Sequence, residues 1–433
     1  MISRRQRANR IVLLCGLALG LAACGTGQPN PVEADAVAKQ FASTPDPDPF
    51  YRAGANLPDV PGTILNSRAI TFQPAGIPEP NPAWQIQYVT HDVNGNPIAA
   101  VATVVKPLIP NVYGHPVLVS FQHAYDSLGP QCSPSHSASG STDNQTNMAE
   151  SAEYLIGLQS LGWTMVVPDY EGPNNEFGAS LLSGQATLDA IRAALQFAPL
   201  GLSKDTPVAL WGYSGGAFAS GWAATLKSTY ANELNLVGTV IGGTPSDLFH
   251  VMHGAENTSN FAVVLGGLFG ITRAYPETLP YGLLTAKGRQ ALSAMKDGCE
   301  GRTSDGSALP ALQLSDLMSS ADPYNTAGIL ATAPKINLLQ SELSPTSDTY
   351  MYHEINDELV PISDTDKLAA RWCQAHTPLS YYRSSAATAA NSTPLGAHTA
   401  GAALGTPAAI AYLVSRFSGL PSPITPPGTA RCN

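Results

Sequence analysis

Apolar positions along this chain fall into short runs separated by polar loops. Trp84 to Thr90 alternates between apolar and polar, and Asp92-Val93-Asn94-Gly95-Asn96 follows with turn chemistry. Ile98 to Val105 is rich in β-forming residues, so the two runs predict a hairpin. Pro116 to Phe121, Trp163 to Pro168, Pro207 to Gly212 and Leu236 to Ile241 read as short buried strands. Ala149 to Leu161 and Leu182 to Phe197 carry helical spacing, and a helix is expected after Gly212. Strand, loop, helix and strand in this rhythm predict an α/β fold with a mostly parallel, doubly wound sheet. From about 244 to 332 the pattern turns helical and loop-like, without buried strands. It resumes with Lys335 to Gln340, Thr349 to Glu354 and Leu379 to Arg383. The expected organisation is a core in two parts, residues 50–243 and 333–433, with a helical cap or lid, residues 244–332, inserted between them. No internal repeat is visible.

The 433 residues suit such an enzyme-sized fold with an insertion. Apolar residues make up 44% and charged residues only 12%, which excludes a disordered or charge-driven binding module. A net charge of −10 with no long basic run argues against nucleic acid as a partner.

The first 24 residues lie outside the predicted fold. Arg4, Arg5, Arg7 and Arg10 precede the apolar run Ile11 to Leu21, which is too short to span a membrane comfortably. The run ends in Leu21-Ala22-Ala23-Cys24, a pattern resembling a bacterial lipoprotein cleavage box. It predicts cleavage before Cys24 and lipid on its thiol; a plain signal peptide with a chance cysteine is the alternative. The pair Arg4-Arg5 lacks the apolar residues that a twin-arginine signal carries just after it, so the segment reads as a general export signal. Residues 25–49 are rich in Gly, Pro, Asn and Asp and read as a flexible tether. Without Cys15 and Cys24, four cysteines remain: Cys132, Cys299, Cys373 and Cys432. None has metal or redox spacing, so an exported chain is expected to form two disulfides. Spacing alone leaves three pairings open.

Gly212-Tyr213-Ser214-Gly215-Gly216 matches Gly-x-Ser-x-Gly, a weak pattern on its own. Here it lies between a predicted strand and a predicted helix, the context of a nucleophile elbow, which makes Ser214 the candidate nucleophile. An idle serine in a tight turn is the bland alternative. In this fold the acid and then the histidine follow the serine. His398, in a small-residue loop before a final helix from about Gly401 to Phe417, is the candidate base. His253 lies in the insertion, His353 within a strand, and His376 at a helix end. Asp357 follows the strand Thr349 to Glu354 and is the candidate acid, with Glu354 and Glu358 as rivals. Gly215 N–H is one expected oxyanion donor. The second is expected from Tyr125 or Asp126, in the loop after Pro116 to Ser120, and spacing leaves that choice open.

Several blocks in order carry a wider resemblance. They are Pro61-Gly62-Thr63-Ile64-Leu65, Tyr125-Asp126-Ser127 with Cys132-Ser133-Pro134-Ser135, and Pro168-Asp169-Tyr170-Glu171-Gly172-Pro173. Leu188-Asp189-Ala190-Ile191-Arg192-Ala193, the Ser214 motif, Asp357-Glu358-Leu359-Val360-Pro361 and Gly396-Ala397-His398 complete the set. Together they resemble the secretory lipase family of the yeast lipase A type, from about Pro49 to Gly419. The resemblance implies an α/β-hydrolase fold and Ser214, Asp357 and His398 as the triad. It further implies Asp126 and Gly215 at the oxyanion hole, a helical lid, and hydrolysis of acylglycerols or related esters. By analogy it pairs Cys132 with Cys299 and Cys373 with Cys432. Ala397 departs from the second glycine of many relatives, and the lipoprotein start departs from the freely secreted fungal members.

The expected chemistry is two-step acyl transfer through an acyl-enzyme, with no metal or organic cofactor. The expected partners are a lipid or ester substrate and a membrane reached through the N-terminal anchor, and the chain is expected to be a monomer. The run Asn260 to Ile271 is read with equal weight as an acyl-tunnel or lipid-facing wall and as plain cap core. A short-chain esterase or deacetylase and an acyltransferase use the same residues. A non-catalytic lipid-binding lipoprotein and a peptidase are the remaining alternatives. The intact triad weighs against the first, and nothing visible would grip a peptide N-terminus.

Overall fold

The computed structural model describes residues 39–54, 56–388 and 396–432. Ten strands form one sheet in the order β1-β2-β3-β5-β4-β6-β7-β8-β9-β10. They are β1 (Ile64–Ile70), β2 (Ala83–His91), β3 (Pro97–Val105), β4 (Leu118–Gln122), β5 (Thr164–Pro168), β6 (Val208–Tyr213), β7 (Leu236–Gly242), β8 (Thr349–Glu354), β9 (Leu379–Ser384) and β10 (Ala430–Cys432). The run β5-β4-β6-β7-β8-β9 is parallel, while β1, β2, β3 and β10 pair antiparallel. This is the α/β-hydrolase arrangement, a mostly parallel sheet flanked by helices.

From Pro134 onward the helices of the described residues are, in chain order, α1 (Pro134–Ala138), α2 (Gln145–Ser160), α3 (Ser180–Gln196), α4 (Gly215–Tyr230), α5 (Leu248–Ala255), α6 (Phe261–Ala274), α7 (Ala286–Met295), α8 (Leu314–Leu317), α9 (Ala327–Ile336), α10 (Ile362–Gln374) and α11 (Gly396–Ser418). Both faces of the sheet are covered. Leu118 and Leu210 pack with Leu188, Ile191, Phe218 and Trp372 on one face. Val119, Phe121 and Trp211 pack with Tyr154, Leu158, Leu413 and Phe417 on the other. A strand buried on both faces has no reason to alternate, which is why these runs are continuously apolar.

The hairpin forms as the sequence suggests. Thr90 pairs with Ile98, and Asp92 Oδ1 accepts the N–H groups of Asn94 and Asn96 at 2.8 Å each. The structure differs at Lys335 to Gln340, expected as a strand. That segment ends α9 and continues as a 3-10 turn at Leu338–Gln340. β7 already pairs directly with β8, Thr239 against Thr349, so the sheet has no slot for it. The final helix also starts earlier than expected, at Gly396, which puts His398 in its first turn rather than in a preceding loop.

Between β7 and β8 lie α5 to α9, whose Phe249, Phe261, Leu265, Phe269, Leu292 and Leu314 share a hydrophobic cluster with Tyr125, Tyr170, Leu182 and Ala219 of the core. The end of the expected tether belongs to this cluster. Phe41 is fully buried against Phe269. Its carbonyl accepts from the buried Arg273 guanidinium, which also reaches the carbonyls of Leu128, Asn174, Asn175 and Lys296. Burying an aromatic side chain gains more than a solvated linker would, so Phe41 anchors the end of the expected tether, while most residues of 39–49 stay exposed. Cys24 and the leader lie outside the described residues.

Candidate active site

Ser214 follows β6 directly and caps the start of α4. Its backbone, at φ 51° and ψ −121°, lies outside the regions that L-residues favour. Such a conformation costs on the order of 1–3 kcal/mol and is held by its surroundings. The Ser214 N–H donates to the Gly242 carbonyl at 2.9 Å, and the Phe218 N–H donates back to the Ser214 carbonyl. The turn closes so tightly that a side chain at Gly212 would collide with the backbone of Gly216. That contact is the reason for glycine two residues before the serine.

The His398 imidazole meets Ser214 from the start of α11. Ser214 Oγ donates to His398 Nε2 at 2.7 Å, and His398 Nδ1 donates to Asp357 Oδ2 at 2.7 Å. Asp357 Oδ1 accepts the N–H groups of Leu359 and Val360 at 2.9 and 2.7 Å. Burial alone would raise the Asp357 carboxyl, but His398 and His353 outweigh it and hold the group well below the usual range. Burial likewise opposes charge on His398, yet Asp357 and Glu358 raise its pKa above the ordinary histidine value. The three groups therefore form a relay in which a proton can leave Ser214 and the resulting imidazolium meets a fixed anion.

Two supporting residues were not given these roles by the sequence. His353 Nε2 lies 3.1 Å from Asp357 Oδ2, and its Nδ1 pairs with Thr365 Oγ1 at 2.8 Å. Glu358, a rival for the acid, instead accepts the N–H groups of Ala397 and His398. No periodicity links a strand end to a helix start in another part of the chain, so neither role had a sequence signal. Glu354, the other rival, accepts from Ser384 and the Ala387 N–H. Of the other histidines, His253 lies in α5, beside Glu256. His376 follows α10 with a left-handed backbone.

Asp126, and not Tyr125, lines the cavity at Ser214, together with Gly215. A side chain at Gly215 would collide with the Asp126 carboxyl. Asp126 Oδ1 is buried without a hydrogen-bond partner. Burial first, then nearby Glu150, raises this carboxyl to about 7. Tyr125 is used elsewhere, its hydroxyl accepting from the Glu171 N–H. The other walls are apolar: Phe177, Phe218, Leu248, Met252, Val263, Val264, Ile271 and Leu359. The run 260–271 is divided between the cavity and the hydrophobic cluster. Val263, Val264, Gly267 and Ile271 share one helical stripe on the cavity, while Phe261, Leu265, Leu268 and Phe269 are buried in the cluster of α5 to α9. The cavity holds about 50 Å³, well under the several hundred typical of an occupied ligand pocket.

Disulfides join Cys132 to Cys299 and Cys373 to Cys432. Among the described residues, no group of His, Cys, Asp and Glu could hold a metal ion, and no helix is long and apolar enough to cross a membrane.

Comparison with known proteins supplies the context. The secretory lipase family model matches residues 141–423. A secreted triacylglycerol lipase of Malassezia furfur is 32% identical over 84% of this chain and 78% of its own length. Lipase 5 of Candida albicans is 31% identical over 88% of this chain and 82% of its own. The closed-state crystal structure of Candida antarctica lipase A superposes with a TM-score of 0.77 at 27% identity, covering 88% of this chain and 87% of that one. A rice cell wall degrading esterase of Xanthomonas oryzae shares the fold, with a TM-score of 0.64 at 18% identity.

Proposed function

The chain belongs to the secretory lipase family, and from that premise we propose that this carboxylic ester hydrolase is a lipase cleaving long-chain acylglycerols with Ser214 as nucleophile. Ser214 Oγ attacks the ester carbonyl while His398 takes its proton. The tetrahedral oxyanion is met by the Gly215 N–H and by Asp126. His398 then protonates the departing alcohol, and water activated by the same imidazole releases the acid. Asp357 holds the imidazole in register throughout.

The observation that carries the long-chain reading is the wall chemistry. The cavity at Ser214 is lined almost wholly by apolar side chains, which suits an acyl chain and gives a sugar acetate little to bind. Its small volume implies that the helical segment from α5 to α9 moves to admit substrate, as a lid does. Protonated, Asp126 can act as a hydrogen-bond donor, a state that its raised pKa favours below about 7.

We further propose export, cleavage before Cys24 and lipid anchoring there, with the enzyme outside the cytoplasm and monomeric. The Cys24→Ser protein should then leave the membrane fraction.

The deciding experiment is hydrolysis of p-nitrophenyl esters from acetate to palmitate by the protein and by Ser214→Ala. Activity favouring the long esters and absent in the variant is the expected result. Activity confined to acetate and butyrate would replace the lipase reading with a short-chain esterase. Full activity in Ser214→Ala would remove Ser214 from the chemistry.

A further inference from the structure

A polar cavity outside the catalytic centre lies at the end of β8 away from Ser214. It holds about 240 Å³, and Asp348, Tyr350, Leu379 and Ser380 line it where β8 and β9 begin. The triad acid follows the other end of β8. Six residues at about 3.3 Å each put roughly 20 Å between the two, so this is not an extension of the acyl pocket. α11 supplies Ala408, Tyr412, Ser415 and Arg416, and the segment after it adds Ile424 and Arg431. That segment is held over the cavity by β10, which pairs with β9 and carries Cys432 of the second disulfide.

Two side chains of this cavity lack a polar partner among the described residues, and a third has capacity to spare. Tyr350 is 4% exposed and its hydroxyl is buried without a hydrogen-bond partner. Arg431 is exposed, and among the described residues its guanidinium makes no ion pair or hydrogen bond. Arg416 is only partly engaged: it pairs with Asp348 at 3.1 Å, reaches Ser415 Oγ and lies over the Tyr412 ring. Two guanidinium groups against one carboxylate leave the cavity net positive in a chain whose net charge is −10. Arginine forks suit carboxylate and phosphate oxygens. Leu379, Ala408 and Ile424 provide an apolar wall beside them, and Ile424 is itself exposed.

We propose that this cavity is a second lipid-binding site, which takes the carboxylate or phosphate head of an amphiphile on Arg431, Arg416 and Tyr350. The apolar part of the ligand lies on Leu379, Ala408 and Ile424. A ligand oxygen gives the Tyr350 hydroxyl its missing partner. The same head-group chemistry is offered by a free fatty acid and by an anionic lipid in a bilayer. The site is independent of the chemistry at Ser214, and its failure would leave that reading untouched.

The test is isothermal titration of the full-length protein with decanoate, beside co-sedimentation with phosphatidylglycerol vesicles and with phosphatidylcholine vesicles as the neutral control. Arg431→Gln and Tyr350→Phe are compared with the natural protein, and hydrolysis of a soluble ester reports that each variant is folded. Binding of decanoate, or preferential binding of the anionic vesicles, that weakens about tenfold in both variants at unchanged ester hydrolysis supports the site. Decanoate alone identifies free fatty acid as the source, and vesicles alone identify the bilayer. Binding that is equal in the natural protein and Arg431→Gln, or absent for both probes, overturns the proposal.

Discussion

Glu358 caps the helix that carries His398. Its Oε2 accepts the N–H of Ala397 at 2.8 Å and the N–H of His398 at 3.1 Å. The residue next to the proposed acid, Asp357, therefore holds the backbone of the proposed base, His398. A carboxylate at a helix start also meets the positive end of the helix dipole, a contribution of about 0.3–1 kcal/mol. Replacing Glu358 with Ala should loosen the first turn of α11 and lower kcat about tenfold to a hundredfold, with KM little changed. Glu358→Gln keeps an acceptor and should recover most of that loss. Steady-state kinetics on a soluble ester check both, and an Ala variant with natural kcat would reduce Glu358 to a surface charge.

The pH profile follows from His398. It must be neutral to accept the Ser214 proton, so kcat/KM should rise with pH through the His398 pKa, which is raised above the ordinary value of 6.5. Glu358→Gln removes one of the charges that raise it, and the acid limb should move to lower pH. Asp357→Asn removes the nearer charge and the tautomer control, and should cost about 10⁴-fold in kcat/KM. An acid limb that stays in place in Glu358→Gln would show that another group titrates there.

Backbone strain at Ser214 predicts an unusual ordering of stabilities. Glycine accepts positive φ without penalty, whereas alanine keeps the strained Cβ. Ser214→Gly should be inactive and about 1 kcal/mol more stable than Ser214→Ala. Urea unfolding midpoints of the two variants measure it, and a glycine variant no more stable than the alanine one would mean that the turn carries no strain.

Buried carboxyls set the stability profile. Burial raises Asp126, Asp169 and Glu176 to about 7 and Glu150 to about 8. Each holds its proton in the folded state above the ordinary carboxyl value of about 4. The folded protein thus binds more protons than the unfolded chain between those values, and stability falls as pH rises from about 4 to about 8. His398, also raised, adds to the fall once pH passes its unfolded value. Asp357, depressed, acts oppositely, but its contribution is complete above about 4 and is lost only in stronger acid. Unfolding midpoints should be higher at pH 5 than at pH 8, with the difference reduced in Glu150→Gln. A midpoint that climbs with pH across this window would contradict the assignment.

Much of the architecture could be read along the chain because its causes are local. Runs such as Pro207 to Gly212 are apolar on both faces, and that marks a central strand wherever it lies. The Ser214 turn demands small residues at fixed offsets, so its chemistry is written within five positions. Lys335 to Gln340 misled because buried helical turns and buried strands share a composition, and only the direct pairing of β7 with β8 excludes a strand there. Phe41 misled for the opposite reason, being one aromatic residue in a polar stretch whose partner, Phe269, is far away in sequence.

The sequence by itself determined the strand and helix rhythm and the small-residue turn around Ser214, and it put forward the order serine, acid, histidine that the proposed chemistry uses. Only the tertiary structure decided what meets across the chain. His398 and Ser214 are 184 residues apart, and Glu358, His353 and Asp126 take their places through contacts that no spacing encodes. Periodicity records which face of an element is buried, because that repeats with the backbone. Which other element covers that face depends on how the whole sheet assembles, and that information is distributed over every strand in it.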